Sequence, residues 1–232
     1  MGSLAPPTAL RRYGDAPSVV NIAVRFSAIL AFTLLLFGLA APAAAAPRVL
    51  AFGDSLTAGL GLSPEQAFPA RLQAQLAAQG IAAQVTNGGV SGDTTAGGLA
   101  RLDWTLADHP DIVLLELGAN DALRGIDPKL TYANLDKIMA RLKAAGTSVV
   151  LMGMEAPANW GRDYQQEFDA IYPQPAEKYQ VPLYPFVLDG VAMDPSLNQA
   201  DGMHPNARGV EIIAGKVAPY VARLIAAIGA SG

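Results

Sequence analysis

The chain has 232 residues and a formal net charge of −4, with 51% apolar and 16% charged residues. This length is sufficient for one domain with a substantial core, and the acidic balance without basic runs argues against a nucleic-acid partner. The sequence contains no cysteine, which excludes disulfides, thiolate metal sites, a cysteine nucleophile and a lipidated amino-terminal cysteine.

Residues 1–45 have the order of a secretory signal peptide. Three arginines give a positively charged start, and an uncharged, mainly apolar stretch follows at 26–41. Its roughly 16 residues are short for a bilayer span of about 20, and the alanines at 43–46 suit signal-peptide cleavage. We predict cleavage after Ala45, a mature domain of residues 46–232, and a periplasmic or secreted location. An uncleaved membrane anchor is the alternative, and amino-terminal sequencing of the exported protein distinguishes the two.

From residue 48 onward, short apolar runs alternate with segments of helical periodicity. The predicted strands are residues 48–52, 83–86, 112–117, 148–152 and 181–184. The predicted helices are residues 64–79, 94–108, 127–146, 164–179 (interrupted near two prolines) and 206–228. Strands that alternate with helices of this length indicate a parallel sheet covered on both faces. The sequence therefore predicts a three-layer αβα sandwich with a five-stranded parallel sheet.

Small or polar clusters follow the first three predicted strands, and a fourth cluster precedes the last predicted helix. Their sequences are Gly53-Asp54-Ser55-Leu56, Ser91-Gly92-Asp93, Gly118-Ala119-Asn120-Asp121 and Asp201-Gly202-Met203-His204-Pro205. Ligands of an open parallel sheet bind beyond the carboxyl ends of its strands. The location of all four clusters predicts a catalytic site at that edge of the sheet.

The residue types in these clusters are those of a serine hydrolase. A serine hydroxyl such as that of Ser55 becomes a good nucleophile when a base takes its proton, and histidine is the usual base. His109 precedes a strand and is expected at the opposite edge of the sheet, which leaves His204. Asp201 lies three residues before His204, close enough on a tight turn to bind the second ring nitrogen. Three donors are available for an oxyanion: the backbone N–H of Ser55, the backbone N–H of Gly92 and the side-chain amide of Asn120.

The four clusters, in this order, resemble the sequence blocks of the SGNH (GDSL) hydrolase superfamily. The segments SGDTTAGGLARL, LELGANDALRG and DGMHPN are similar to its branch of small periplasmic thioesterases, lysophospholipases and arylesterases. The resemblance covers residues 46–232 and implies a flavodoxin-like fold that needs no metal and no cofactor. It also implies hydrolysis of carboxylic esters or thioesters of lipophilic acyl groups through an acyl-enzyme. Ala119 stands where a glycine is expected in the third block.

The segment 122–126 follows the third cluster, and in the resembling enzymes this region lies over the acyl groove. Leu123 and Ile126 are therefore expected to contact the substrate, with Gly125 as a hinge. Trp160 follows a predicted strand and is separately expected to flank the substrate. We expect the partner to be a small acyl ester or thioester, without nucleic acid and without a membrane anchor after signal cleavage. The expected assembly is a monomer or a small homo-oligomer.

Three other functions stay open. A carbohydrate O-acetylesterase uses the same chemical groups, although residues 122–126 are more apolar than a sugar site requires. A non-catalytic periplasmic binding protein can share the scaffold, but binding alone does not need the complete set of signature residues. A transacylase would differ in whether water or another alcohol accepts the acyl group.

Several residues have a structural interpretation beside the functional one. Ser55 taken alone is typical of a helix N-cap, and Asp93 is predicted to cap the helix that follows it. Glu116, a carboxylate in a central strand, is interpreted as a salt-bridged structural group in preference to a brace for the active-site loops. Three further residues are assigned to core or near-core packing: Trp104, Met152 and Met154.

Overall fold

The computed structural model describes residues 1–2 and 45–230. Most of the predicted signal peptide, residues 3–44, lies outside this described part, so its cleavage after Ala45 stays a prediction. Ala46–Gly232 forms one compact unit, and every helix and strand named below belongs to it.

Five strands form a single parallel sheet. They are β1 (Arg48–Gly53), β2 (Gln84–Gly89), β3 (Ile112–Glu116), β4 (Ser148–Met152) and β5 (Leu183–Tyr184). The strand order is β2-β1-β3-β4-β5, with every neighbouring pair parallel. This is the flavodoxin-like order, so the predicted fold class is confirmed. β2 runs further than predicted because its pairing with β1 continues to Gly53 opposite Gly89.

The helices of the described residues include all of those that periodicity predicted. They are α1 (Ser55–Ala58), α2 (Phe68–Ala78), α3 (Thr95–Thr105), α4 (Ala119–Leu123), α5 (Pro128–Ala144), α6 (Arg162–Asp169), α7 (Pro173–Tyr179) and α8 (Ala207–Gly229). The predicted helix 164–179 is interrupted as expected, because a proline begins α7. The sequence did not predict α1 and α4, since helices of four and five residues show no periodicity.

The core lies between the sheet and the helices that cover it. β3 is buried at every position, as expected for a central parallel strand. α2 packs against α8, and α3 packs against α5. The predicted core positions Met152 and Met154 are buried, but the prediction for Trp104 is wrong, because its side chain is 83% exposed. α3 buries Leu102, and a residue two positions further on points to the opposite side of a helix.

α8 is the one helix among the described residues that is long and apolar enough to cross a membrane by composition. One of its faces is nevertheless buried against the rest of the fold, through Val210, Ile213 and Val217. Arg71 on α2 also forms an ion pair with Glu211 on α8 at 2.5 Å. These contacts are those of a core helix in a three-layer fold.

The end of β2 lies very close to α1, and this contact requires a glycine. A Cβ atom on Gly89 would lie 2.2 Å from the amide nitrogen of Ala58. Because that neighbour is backbone, Gly89→Ala is expected to lower the free energy of unfolding by about 1–3 kcal/mol. The control is Gly215→Ala on α8, where a Cβ meets nothing within 4 Å. That change should raise the stability by about 0.5–1 kcal/mol. Urea unfolding measures both, and equal stabilities of the two variants would contradict the close approach.

Candidate active site

The first polar cluster forms a sharp turn from β1 into α1. Asp54 is the N-cap of α1, with its Oδ1 accepting the N–H of Leu56 at 3.0 Å, and Ser55 is the first helical residue. The interpretation of Ser55 as an N-cap is therefore wrong. Gly53 must be glycine here, because a Cβ would lie 2.2 Å from Thr57 Oγ1. The turn thus places Ser55 at the carboxyl edge of the sheet, next to the strand end.

Ser55, His204 and Asp201 are joined by a chain of hydrogen bonds. Ser55 Oγ lies 2.9 Å from His204 Nε2, and His204 Nδ1 lies 2.7 Å from Asp201 Oδ2. Asp201 Oδ1 accepts the backbone N–H groups of Met203 and His204 at 2.9 and 3.0 Å. These two N–H bonds, together with the histidine side chain, lower the pKa of Asp201 to about 2. Because an ionised carboxylate only accepts hydrogen bonds, Nδ1 is the donor to Asp201, and a neutral ring leaves Nε2 to accept from Ser55.

Gln199 connects the loop that carries His204 to the residues that follow α1. Its backbone N–H donates to the carbonyl oxygen of His204 at 2.8 Å. Its side-chain amide donates to the carbonyl oxygens of Leu60 at 2.7 Å and Pro205 at 3.0 Å. The sequence did not single out Gln199, since its contact with Leu60 joins residues 139 positions apart.

The predicted oxyanion donors lie on three neighbouring strand ends. Asn120 is on α4, beyond β3, and its Nδ2 donates to Asp54 Oδ2 at 3.0 Å, which leaves a second N–H. Gly92 lies beyond β2 with a left-handed φ of 81°, and its carbonyl oxygen accepts a hydrogen bond of 2.8 Å from Arg124. Within the described residues, the backbone N–H groups of Ser55 and Gly92 donate no hydrogen bond. Arg124, to which the sequence assigned no role, thereby links the second cluster to the segment that follows the third.

Asp93 does not cap α3, so that prediction is wrong. The cap is Thr94, whose hydroxyl accepts an N–H one turn into the helix at 3.2 Å. Asp93 instead forms a 2.7 Å ion pair with Arg101. The same guanidinium donates to the carbonyl oxygens of Gly88 at 2.8 Å and Gly53 at 2.9 Å. Arg101 therefore joins the ends of β1 and β2 to the loop that carries Gly92.

Glu116 is a brace of the active-site turn, and the prediction of a salt-bridged structural group is wrong. Its Oε2 accepts the N–H of Asp54 at 3.2 Å and the hydroxyl of Thr57 at 2.9 Å. Burial, followed by the charge of Asp54, raises the pKa of Glu116 well above its usual value. Burial also raises the pKa of Asp54 to about 6, against the lowering effect of its hydrogen bonds. The carboxyl groups of Asp54 and Glu116 therefore lie close together in the buried region next to the Ser55 turn.

The residues predicted to contact the substrate surround one segment beside Asn120. Leu123 is 49% exposed and belongs to α4, so part of the predicted loop 122–126 is helical. Trp160 is 46% exposed, and its ring lies against Gly125, where a Cβ would be 3.0 Å from the indole. Ile126 is partly buried, and its carbonyl oxygen accepts the Tyr164 hydroxyl at 2.8 Å. Trp160 therefore lies against the segment that carries Leu123 and Ile126, and the contact of these three residues with a substrate stays a prediction.

His109 lies just before β3, at the amino edge, so the prediction that separates it from Ser55 is confirmed. In the described part of the chain, no group of three or more His, Asp and Glu side chains could hold a metal ion. A serine bonded to an imidazole–carboxylate pair, with N–H donors beside it, has the groups needed for nucleophilic acyl transfer. This geometry is the arrangement that a serine nucleophile requires.

Comparison with known proteins identifies the family. A profile of the GDSL-like lipase/acylhydrolase family matches residues 51–212. An arylesterase of Vibrio mimicus is 44% identical over 194 residues, which are 83% of this chain and 93% of the relative. The thioesterase 1/protease 1/lysophospholipase L1 of Escherichia coli strain K12 is 42% identical over 184 residues, 79% of this chain and 87% of the relative. The crystal structure of AlinE4, an SGNH-hydrolase family esterase, matches with a TM-score of 0.67 at 46% identity, covering 78% of this chain and 97% of that chain.

The chain belongs to the GDSL-like lipase/acylhydrolase family. The resemblance that its four clusters carry is thereby confirmed, and the protein is a hydrolase. The alternative of a non-catalytic binding protein is set aside, and esters are the class of small molecule that its relatives indicate as substrates.

Asp201 is expected to hold the imidazole in the tautomer that accepts the Ser55 proton. Asp201→Asn keeps the shape of the side chain but presents an amide, and loss of the tautomer should lower kcat by about 10³–10⁴-fold. The matched control is Asp194→Asn, because Asp194 also accepts a backbone N–H within an exposed turn, that of Ser196 at 2.8 Å. Its kcat should stay at the wild-type value. Steady-state ester hydrolysis measures both kcat values. A similar kcat for the two variants would mean that Asp201 takes no part in the reaction.

Proposed function

We propose that this protein is a serine esterase that hydrolyses carboxylic esters or thioesters of lipophilic acyl groups, with Ser55, His204 and Asp201 as its triad. The observation that carries the proposal is the continuous hydrogen-bond chain from Asp201 through His204 to Ser55, with distances of 2.7 and 2.9 Å. Both distances are those of well-formed hydrogen bonds.

In the proposed reaction, Ser55 Oγ attacks the acyl carbon while His204 Nε2 takes the hydroxyl proton. The tetrahedral oxyanion accepts hydrogen bonds from the N–H groups of Ser55 and Gly92 and from the Asn120 amide. The intermediate collapses, and His204 returns the proton to the departing alcohol or thiol. Water then attacks the acyl-enzyme with His204 as base, which releases the carboxylic acid and restores Ser55.

The substrate class is supported by the names of the relatives and by the surface beside Asn120. The relatives are named arylesterase and thioesterase 1/protease 1/lysophospholipase L1. The activities in these names all transfer an acyl group to water. The exposed side chains of Leu123 and Trp160 give an acyl chain apolar surface to contact. A series of p-nitrophenyl esters from acetate to palmitate tests this class. Activity confined to acetate would favour the carbohydrate O-acetylesterase, whereas activity on longer chains supports the proposal.

The location is proposed on sequence alone. The charged start, the apolar stretch 26–41 and the alanines before Pro47 support export and cleavage after Ala45. The exported protein then begins at Ala46, without the apolar stretch 26–41. Amino-terminal sequencing that finds residues 26–41 retained in the exported protein would contradict cleavage.

Ser55→Ala should abolish turnover and leave the folded structure intact, because Ser55 lies at the edge of the sheet. An alkyl phosphonate should form one covalent adduct per chain, which peptide mapping locates at Ser55. An adduct at a different serine would overturn the assignment.

Asn120→Ala should lower kcat by about 10²–10³-fold, the usual loss for one oxyanion donor. A change below about threefold for Asn120→Ala would mean that Asn120 only supports its loop.

Shortening both Leu123 and Ile126 to alanine should weaken the preference for long acyl chains. Each fully buried methylene contributes about 0.8 kcal/mol, and a half-open surface gives less. The double variant should therefore lose kcat/KM on octanoate esters and keep it on acetate esters. Leu130→Ala is the control, because Leu130 is also an exposed leucine but lies on α5. An equal loss on both esters would mean that the segment supports Asn120 and does not select chain length.

A further inference from the structure

A single oxygen atom of Glu116 accepts hydrogen bonds from residues on both sides of Ser55. Oε2 accepts the backbone N–H of Asp54, the residue before Ser55, at 3.2 Å. The same atom accepts the hydroxyl of Thr57, two residues after Ser55, at 2.9 Å. Glu116 and Thr57 are both fully buried, so solvent does not compete for these bonds. The position of Ser55 Oγ relative to His204 therefore depends on a side chain of β3.

Asp54 extends this contact to the amide of Asn120. Its Oδ1 accepts the N–H of Leu56 at 3.0 Å, and its Oδ2 accepts Asn120 Nδ2 at 3.0 Å. An amide turned the other way would present its carbonyl oxygen to the Asp54 carboxylate, which is repulsive. Asp54 thus fixes the orientation of the Asn120 amide, with the NH₂ group toward the carboxylate. The second N–H of this group is left for an oxyanion.

The surroundings of Glu116 favour its uncharged form. The titratable groups that face Glu116 are Asp54, on the turn after β1, and the hydroxyl of Tyr172, just before α7. Burial raises the pKa of Tyr172 well above its usual range. No cationic side chain bonds to Glu116 in the described part of the chain, and its Oε1 has no hydrogen-bond partner there. The small cavity at Glu116 is otherwise lined mainly by apolar side chains, including Leu56, Phe68, Met152, Val210 and Ile213. An isolated carboxylate in such a place is very unfavourable, whereas the acid form still accepts at Oε2.

We propose that Glu116 is a positioning residue for acyl transfer, which holds the Ser55 turn and, through Asp54, the Asn120 amide while it remains an uncharged acid. This inference rests on the proposed function of Ser55 and Asn120. Glu116 touches no substrate in this mechanism. It acts by fixing two groups that do, one on α1 and one on α4.

Substitution of Glu116 by glutamine and by leucine separates hydrogen bonding from charge. Glu116→Gln keeps an acceptor oxygen and is uncharged, so its kcat should remain within about threefold of the wild type, while Glu116→Leu should lose at least about tenfold in kcat with little change in KM. Thr57→Val removes one of the two donors to Oε2 and should give a smaller loss of kcat. This variant serves as the test if Glu116→Leu does not fold. A glutamine variant as inactive as the leucine variant would overturn the uncharged form, and full activity of both the leucine and valine variants would overturn the positioning role.

A double-mutant cycle tests the path through Asp54 to Asn120. If Glu116 acts on the Asn120 amide, Glu116→Leu combined with Asn120→Ala should lose less kcat than the product of the two single losses. Losses that multiply would overturn this path. Phosphonate labelling of Ser55 is measured in the same proteins. Failure to label Ser55 in the wild type would contradict the proposed triad, whereas normal labelling with a fully active leucine variant contradicts only the role of Glu116.

The pH dependence of unfolding reports the charge of Glu116 without any activity measurement. A folded-state pKa above the usual value of 4.5 means that the unfolded chain ionises first, so stability is lost as pH rises above 4.5. Glu116→Gln has no such ionisation, while Asp54 titrates in both proteins and Tyr172, whose pKa is raised well above its usual range by burial, stays protonated between pH 4 and pH 7. The ratio of the two unfolding equilibrium constants should therefore change by about tenfold per pH unit, in favour of the glutamine variant, until Glu116 ionises in the folded chain. A ratio that stays constant from pH 4 to pH 7 would overturn the uncharged acid.

Discussion

At the centre of the sheet, Gly53 at the end of β1 pairs with Glu116 at the end of β3. Because parallel strands end at the same edge, this register brings the turn after β1 and the helix after β3 side by side. Ser55 follows Gly53 by two residues, and Asn120 follows Glu116 by four. A shift of one residue would turn Glu116 to the other face of the sheet and separate it from Thr57 and Asp54. The nucleophile and the amide donor therefore depend on one strand pairing.

The same pairing explains why buried acids are retained in an otherwise apolar core. Asp54 and Glu116 are both fully buried, a combination that stability alone would disfavour. Asp121 adds a third buried acid, and its two oxygens accept the N–H and the hydroxyl of Thr95 at 2.8 and 2.5 Å. Each acid ties the start of one helix to a neighbouring cluster. Groups that violate the usual rules of burial are expected at a working site, where they fix geometry in place of adding stability.

The sequence predicted the parts of this protein that depend on periodicity and on residue type. Five strands and the helices of the core were identified, and so were the residues from Ser55 to His204 that the fold brings to one edge. The role of Glu116 was misjudged because its partners lie 59 to 62 positions away. Gln199 and Arg124 were missed for the same reason, since their bonds join distant loops. Trp104 was assigned to the core by its residue type, although its position on α3 faces solvent.

The two halves of the site obtain their rigidity in different ways. The half that contains Asn120 is fixed by burial, through acids that are cut off from water. The half that contains His204 lies in a loop before α8, and the Asp201 side chain is 41% exposed. There the order comes from the tight turn that Asp201 caps and from the bonds of Gln199. This division suits the proposed reaction. Deacylation needs water at the imidazole, and the His204 side chain is 18% exposed, whereas the Asn120 amide needs a fixed orientation, which the buried acids provide. A partly accessible base and an amide donor that is held by buried acids are therefore compatible requirements of one acyl-transfer site.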